Sequence, residues 1–314
     1  MRRGPVLDIF AGVGGWDVAL RALGLDVLGI EQDAACCVTR AAAGLRTLQA
    51  DVSALDPQAF AGVEGLVASP PCQAFSKGGK RKGIEDPRGQ LVHEPLRFVR
   101  ALLPAWVCFE QVPEVLSIWE EGAKALRALG YHAWANLLAG EELGLPQSRT
   151  RAILLARRRD RGPIAWPAPT HAAFGARAHR GCLPGAPGWA EALGLDPRTH
   201  VLRTGMDWRE DESSQERAGD RPCPTIGTKT LSQWKIVHRD DVARSARRTD
   251  VGRALTAREL GLLQTFPSDF PWQGTLAVQG KQIGNAIPPR MAQAALEAVL
   301  PAVPPLPPRI PESA

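Results

Sequence analysis

No stretch of the 314-residue chain approaches the roughly 18–20 apolar residues that cross a bilayer as a helix, so no transmembrane helix is expected. The cysteines, Cys36, Cys37, Cys72, Cys108, Cys182 and Cys223, form no CxxC pair, and no histidines cluster beside them. That pattern argues against a zinc centre and against a disulfide framework; no metal is expected. No internal repeat is present, which excludes a solenoid. The first residues, MRRGPVLDIF, pass directly into an apolar run with no cleavage site after it, so neither a leader nor a membrane partner is expected, and a cytoplasmic location follows. What the chain does have is basic charge. Net charge is +5 with pI near 9.1, and Arg far outnumbers Lys, which favours a polyanionic partner.

Apolar runs alternate with helical patterns along the first half. PVLDIF (5–10), DVLGIE (26–31), RTLQAD (46–51), GLVASPPC (65–72) and PAWVCFEQV (104–112) read as strands, followed by HAWANLLAG (132–140) and RAILLARRR (151–159). This alternation predicts an α/β fold, a doubly wound and mostly parallel sheet with helices on both faces. Ligands in such sheets gather at the carboxyl ends of the strands, and Glu31, Asp51, Cys72 and Glu110 all fall there. Residues 161–250 are rich in Gly, Pro, Arg and Trp without sustained periodicity, and read as a second, smaller, loop-rich domain. A helix is expected over 253–266, then a loop and a last helix over 284–300. The tail PAVPPLPPRIPESA reads as extended or disordered.

Four clusters carry chemistry. In DIFAGVGGW, Gly12, Gly14 and Gly15 follow a strand, and Glu31 ends the next strand about 20 residues on. This is the geometry for a backbone close to a nucleoside and a carboxylate on its ribose. The GxGG spacing is not the GxGxxG of a dinucleotide site, so a cofactor such as S-adenosylmethionine fits better than NAD; a plain tight turn is the alternative. Cys72 follows Pro70 and Pro71, which stiffen the chain where it leaves the sheet. The basic segment after it would favour thiolate and attract phosphates; a packed thiol in a rigid turn is the alternative. Glu110 is either a general acid or hydrogen-bond donor at the sheet rim, or a helix cap. Arg149 and Arg151, at i and i+2, share a face if extended and suit carbonyl or phosphate recognition, or simply begin a basic strand.

Taken together these segments resemble the cytosine-5 DNA methyltransferases of prokaryotic type. DIFAGVGG resembles the family's cofactor loop and PPCQAFSKGGKRKG its nucleophile loop. EQV stands where Glu-Asn-Val is usual. QSRTR is similar to Gln-x-Arg-x-Arg, RALTARELGLLQTFP to the later conserved helix, and GNAIPP to the Gly-Asn-x-x-x-Pro turn, all in the family's order from residue 8 to about 295.

The resemblance implies transfer of a methyl group from S-adenosylmethionine to carbon 5 of a cytosine flipped out of a specific duplex DNA sequence. It implies a covalent Cys72 adduct at ring carbon 6, Glu110 on the N3 and amino edge, Arg151 on the ring carbonyl, and Arg149 supporting the site or reaching phosphate. For the cofactor it implies Phe10, Gly12, Gly14 and Gly15 at the methionine portion, with Glu31 on the ribose and Asp51 on the adenine amino group. Pro71 would lie near the methyl and Asn285 would close the site, while Gln32 stands where an apolar residue often packs on the adenine. Gln73, Ser76, Lys77, Lys80 and Arg81 are the implied DNA contacts, on a flap made mobile by Gly78 and Gly79. Residues 1–165 with 281–314 would be the cofactor-binding and catalytic domain. Residues 166–280 would hold the smaller target-recognition region and a connecting helix. The partner is double-stranded DNA, the chain is expected to be monomeric, and a cognate restriction endonuclease would act separately. Gln111 in place of Asn is the main departure, and leaves the loop geometry beside it open. An RNA-directed cytosine-5 methyltransferase or a silent DNA-binding relative are the competing readings. Against the first stands the lack of a Cys-Phe-Thr signature; against the second, the retention of Cys72, Glu110, Gln147, Arg149 and Arg151.

Overall fold

A computed structural model describes residues 4–73, 75, 87–174, 183–204, 215–244 and 252–300. The first elements are β1 (Val6–Ile9), α1 (Gly15–Ala22), β2 (Val27–Glu31), α2 (Ala34–Ala42), β3 (Thr47–Gln49) and β4 (Gly65–Ala68). They are followed by α3 (Pro87–Gln90), α4 (Glu94–Leu102), β5 (Trp106–Gln111), α5 (Leu116–Ala128), β6 (Tyr131–Ala139) and β7 (Thr150–Arg158). All seven strands join one sheet in the order β3-β2-β1-β4-β5-β7-β6. β1 to β5 pair in parallel, whereas β7 runs antiparallel to both β5 and β6. The expected α/β sheet, doubly wound and mostly parallel, is the one the chain forms.

The central strands are mostly apolar because both of their faces are covered. Every residue of β1, β4 and β5 is buried. One face carries Trp16 and Leu20 of α1 against Met291, Ala295 and Leu296 from the C-terminal helix, and the other carries Phe98 and Val99 of α4 and Trp119 and Leu126 of α5. Trp119 lies 5.8 Å from Phe109 of β5, centroid to centroid.

The remaining elements are α6 (Trp189–Ala192), β8 (His200–Thr204), β9 (Gln215–Ala218), α7 (Thr230–Gln233), β10 (Lys235–His238) and α8 (Arg239–Arg244). The chain then forms β11 (Arg253–Ala254), α9 (Ala257–Leu263), α10 (Leu276–Asn285) and α11 (Pro289–Val299). Within the region expected to be loop-rich, the chain also forms a small sheet that the sequence did not single out. Four strands pair antiparallel in the order β11-β10-β8-β9. They run two to five residues each, too short for an alternation to stand out from its surroundings. Their apolar side chains pack with Leu260 and Leu263 of α9 and Ile283 of α10.

The helix expected over 253–266 is shorter, because Arg253 and Ala254 belong to β11. Thr256 starts it with a capping box: its hydroxyl accepts from Glu259 N at 3.2 Å, and the Glu259 carboxylate accepts from Thr256 N at 2.9 Å. The segment expected to be a loop and one helix holds the end of α10 as well as α11, and the domain boundary expected after residue 280 falls inside α10. Residues 301–314, the proline-rich tail, lie outside the described residues.

Candidate functional site

The strand ends β1, β2, β4 and β5 open onto one cavity of about 450 Å³. β7 contributes to the same rim because its reversed direction puts its first residues where the parallel strands end. Gln111, the last residue of β5, pairs with Ala152, which brings Arg151 alongside. Among the sequence-predicted residues, Phe10, Gly12, Gly15, Glu31, Gln32, Pro71, Cys72, Gln73, Glu110, Arg149, Arg151 and Asn285 all line this cavity.

After β1 the chain turns with positive φ at Phe10 (61°), Gly12 (54°) and Gly14 (99°). The value at Phe10 is uncommon for a side-chain-bearing residue and marks a turn held by its surroundings. Gly14 does not line the cavity; it is the N-cap of α1. Gly15 allows a close approach, since a Cβ there would lie 2.2 Å from the Ile287 carbonyl. The Glu31 carboxylate accepts from Gly12 N at 2.8 Å and Asp33 N at 2.7 Å, so it fixes the turn as well as facing the cavity. Asp51 is exposed, outside the lining set that holds its neighbours Ala50 and Val52. Its carboxylate accepts from Ser53 N at 2.9 Å and Ser53 Oγ at 2.8 Å.

Cys72 sits four residues beyond β4, half-buried. Burial, and then the Glu110 charge, hold its thiol above the ordinary range, with Arg151 pulling it down. This differs from the expected thiolate-favouring setting. The lysines and arginine expected to supply that bias, Lys77, Lys80 and Arg81, lie with Ser76 outside the described residues. Cys36 also faces the cavity, but burial and the Glu31 and Asp33 charges push it up to about 12. Glu110 and Arg151 form an ion pair, Nε to Oε1, at 2.9 Å with both side chains largely buried.

Arg149 is arranged differently from Arg151. Its guanidinium donates to the carbonyls of Ile226 (3.1 Å), Ala286 (3.0 Å) and Gly284 (3.4 Å). It is 2% exposed, which leaves those donors committed to main chain. Gln111 is as buried, and its amide spans two segments. Nε2 donates to Pro70 O at 2.6 Å, and Oε1 accepts from Val112 N at 2.6 Å. The longer side chain at this position therefore ties the end of β5 to the proline turn that carries Cys72.

A second recess of about 560 Å³ continues from the first around Cys72, Arg149, Arg151 and Asn285. Its far wall is Thr225 to Thr228, next to the small sheet. Two sites of contact were not singled out in the sequence. Trp16 Nε1 donates to Ser69 Oγ at 3.0 Å, pinning α1 to the end of β4. Beneath the glycine turn, Arg40 and Asp17 form a fully buried ion pair at 2.7 Å. Beside them, neither oxygen of Asp8 has a donor; burial and the Asp17 charge push its carboxyl well up, so it is held neutral. Among the described residues no helix is long and apolar enough to cross a membrane, and no group of three or more potential ligands could hold a metal.

The sequence model for C-5 cytosine-specific DNA methylase matches residues 5–174 and 201–300. The chain belongs to this family. The methylase is similar to the Type II methyltransferase M1.HphI of Haemophilus parahaemolyticus, with 30% identity over 94% of this chain and 86% of that protein. It is similar also to the Type II methyltransferase M.NgoFVII of Neisseria gonorrhoeae, at 26% identity over 94% and 86%. Among solved structures, S. pombe Dnmt2 methyltransferase matches with a TM-score of 0.67 at 20% identity, covering 94% of this chain and 99% of that one. A Spodoptera frugiperda DNMT2 mutant matches with a TM-score of 0.68 at 16% identity, over 94% and 99%. At these identities the structural likeness is one of fold. The family match makes this methylase an enzyme of DNA cytosine-5 methylation.

Proposed function

We propose that this methylase uses S-adenosylmethionine to methylate carbon 5 of a cytosine flipped out of a specific duplex sequence, with Cys72 as nucleophile. The observation that carries the reading is the convergence of Cys72, Glu110 and Arg151 from three different strand ends on one cavity. The cavity also has the features of a nucleoside pocket: apolar Phe10, Ile30 and Val52, a carboxylate at Glu31, and a GxGG turn in place of a pyrophosphate cradle. The bound cofactor supplies an electrophilic methyl group. Glu31 and the turn at Phe10–Gly12–Gly15 would hold it, with Gln32, Pro71 and Asn285 around it; Asp51, whose bonds to Ser53 both use Oδ1, would offer Oδ2 to the adenine amino group.

Cytosine carbon 5 is a poor nucleophile until the ring is activated. Cys72 loses its proton and its sulfur bonds to carbon 6, which makes carbon 5 enamine-like. Glu110 binds the N3 and amino edge where charge builds, and Arg151 binds the ring carbonyl. The Glu110–Arg151 pair holds both groups in place before substrate arrives, so little reorganisation is left for the chemical step. Arg149 acts by holding the wall. After methylation carbon 5 gives up its proton, the carbon–sulfur bond breaks, and Cys72 is restored.

The base must leave the duplex, at a cost of a few kcal/mol. Gln73 with Ser76, Lys77, Lys80 and Arg81 would contact the DNA around it. The large sheet with α11 would form the catalytic domain, and the small sheet the target-recognition region. A monomer acting beside a separate restriction endonuclease fits the Type II names of its relatives. Incubation with S-adenosylmethionine and duplex DNA, followed by bisulfite sequencing, should show 5-methylcytosine in one sequence context. Absence of 5-methylcytosine, or undiminished methylation by Cys72→Ser, would overturn the reading.

A further inference from the structure

A buried cluster of amides and one guanidinium lies behind the wall of the second recess. Gln147 stands just before β7, and Gln264 is the C-cap of α9; both are fully buried. Gln147 Oε1 accepts from Ile226 N at 2.9 Å, and its Nε2 donates to Gln264 Oε1 at 3.0 Å. Gln264 Nε2 donates in turn to Ile283 O at 2.8 Å. Arg149 completes the circuit through the Ile226, Gly284 and Ala286 carbonyls. Two backbone segments are thereby held to one another, 225–228 and 283–286. Their contact is main chain on main chain: a Cβ on Gly284 would lie 2.4 Å from the Gly227 carbonyl carbon.

The two segments line overlapping but different recesses. Thr225 to Thr228 line only the second recess, while Asn285 lines both it and the cofactor-side cavity. We infer that Gln264, through Gln147, is a positioning residue that sets the 283–286 turn for the cofactor and the 225–228 wall for DNA at the same time. The inference rests on the function proposed above. The physical basis is that buried amides have no water to fall back on. Removing Gln264 leaves Gln147 Nε2 with only its longer bond to Leu263 O at 3.4 Å and the Ile283 carbonyl with only the Ala286 N–H at 3.3 Å, so both segments shift to recover the lost bonds.

The chain of bonds makes a specific claim about affinity. Gln264→Leu keeps the approximate volume and removes both bonds; Gln264→Asn keeps the amide but is one methylene too short to span Gln147 and Ile283. Binding is measured by calorimetry with S-adenosylhomocysteine, and separately by anisotropy with a labelled duplex, alongside the thermal midpoint. Each substitution should weaken both ligands by a similar factor, about tenfold for Leu and less for Asn. The kcat at saturating cofactor and DNA should stay within about twofold. Gln147→Leu added to Gln264→Leu should weaken binding little further, since the two form one unit. A fall in thermal midpoint with both affinities unchanged, or weakening of one ligand alone, would overturn the inference. Wild-type protein that binds both ligands yet yields no 5-methylcytosine would overturn the proposed function and leave the positioning role standing. Wild-type protein that binds neither would overturn both.

Discussion

Gln111→Leu tests how the cysteine turn is held. The amide of Gln111 is 2% exposed and makes two bonds of 2.6 Å, to Pro70 O and from Val112 N. Leucine fills similar space but satisfies neither group. Pro70 is buried, so its carbonyl carries the full desolvation penalty, whereas half-buried Val112 regains part of its bonding from water. At about 1–3 kcal/mol for each unsatisfied buried group, the expected loss is roughly 2–4 kcal/mol. For a chain of this size that lowers the thermal midpoint by about 3–6 °C. The same change frees the turn two residues before Cys72, so adduct formation should slow about tenfold or more, a misplacement effect. The adduct is read on a gel with duplex DNA containing 5-fluorocytosine, whose fluorine cannot leave as the proton does. Gln111→Asn retains an amide that reaches one of the two partners and should fall between wild type and Leu on both measures. An unchanged midpoint together with an unchanged adduct rate for Gln111→Leu would refute the reasoning.

Four further outcomes follow from the buried titratable groups. Asp8 is held neutral by burial and by Asp17. Its folded-state pKa is raised, so its contribution to stability is complete below about pH 3.9, the unfolded value. That contribution is lost as pH rises through the raised value. Asp8→Asn removes this loss, and its thermal midpoint relative to wild type should climb from pH 5 to pH 9; a constant difference would contradict the assignment. Cys72 should react slowly with iodoacetamide at pH 7 and faster as pH rises, ahead of Cys36, which is pushed up to about 12. Glu110→Gln removes a charge that raises the thiol, so the alkylation profile should move to lower pH; peptide mapping with mass spectrometry reads both. Arg40→Met leaves Asp17 unpaired in a fully buried setting and should cost about 3–5 kcal/mol by denaturant unfolding, whereas a loss below about 1 kcal/mol would show the pair to be solvated.

The large sheet was legible because its central strands β1, β4 and β5 are mostly apolar runs buried on both faces. The chemistry-bearing types at the strand ends were legible for a related reason: an acid or a thiol directly after such a run has few packing explanations. Cys72, Glu110 and Arg151 were read as neighbours, and they line one cavity. The small antiparallel sheet was not legible, because strands of two to five residues carry no measurable alternation. Asp51 shows a different limit. Its place after β3 suggests a ligand, and only the folded chain shows that a serine two residues on shares one of its two carboxylate oxygens, a local bond that spacing does not reveal.

The amino-acid sequence alone determined the strand-and-helix alternation, the family, and the residue types at the rim, since each depends on local pattern or motif. Tertiary structure decided which polar groups are spent on holding the site together. Arg149 and Arg151 look equivalent two residues apart. Yet one grips carbonyls 77 to 137 residues away and the other pairs with Glu110. The same holds for Gln147 and Gln264, 117 residues apart and joined by one bond. Partners at such separations are set by how the layers close on each other, and a buried hydrogen-bonding group takes the partner that packing leaves within 3 Å of it.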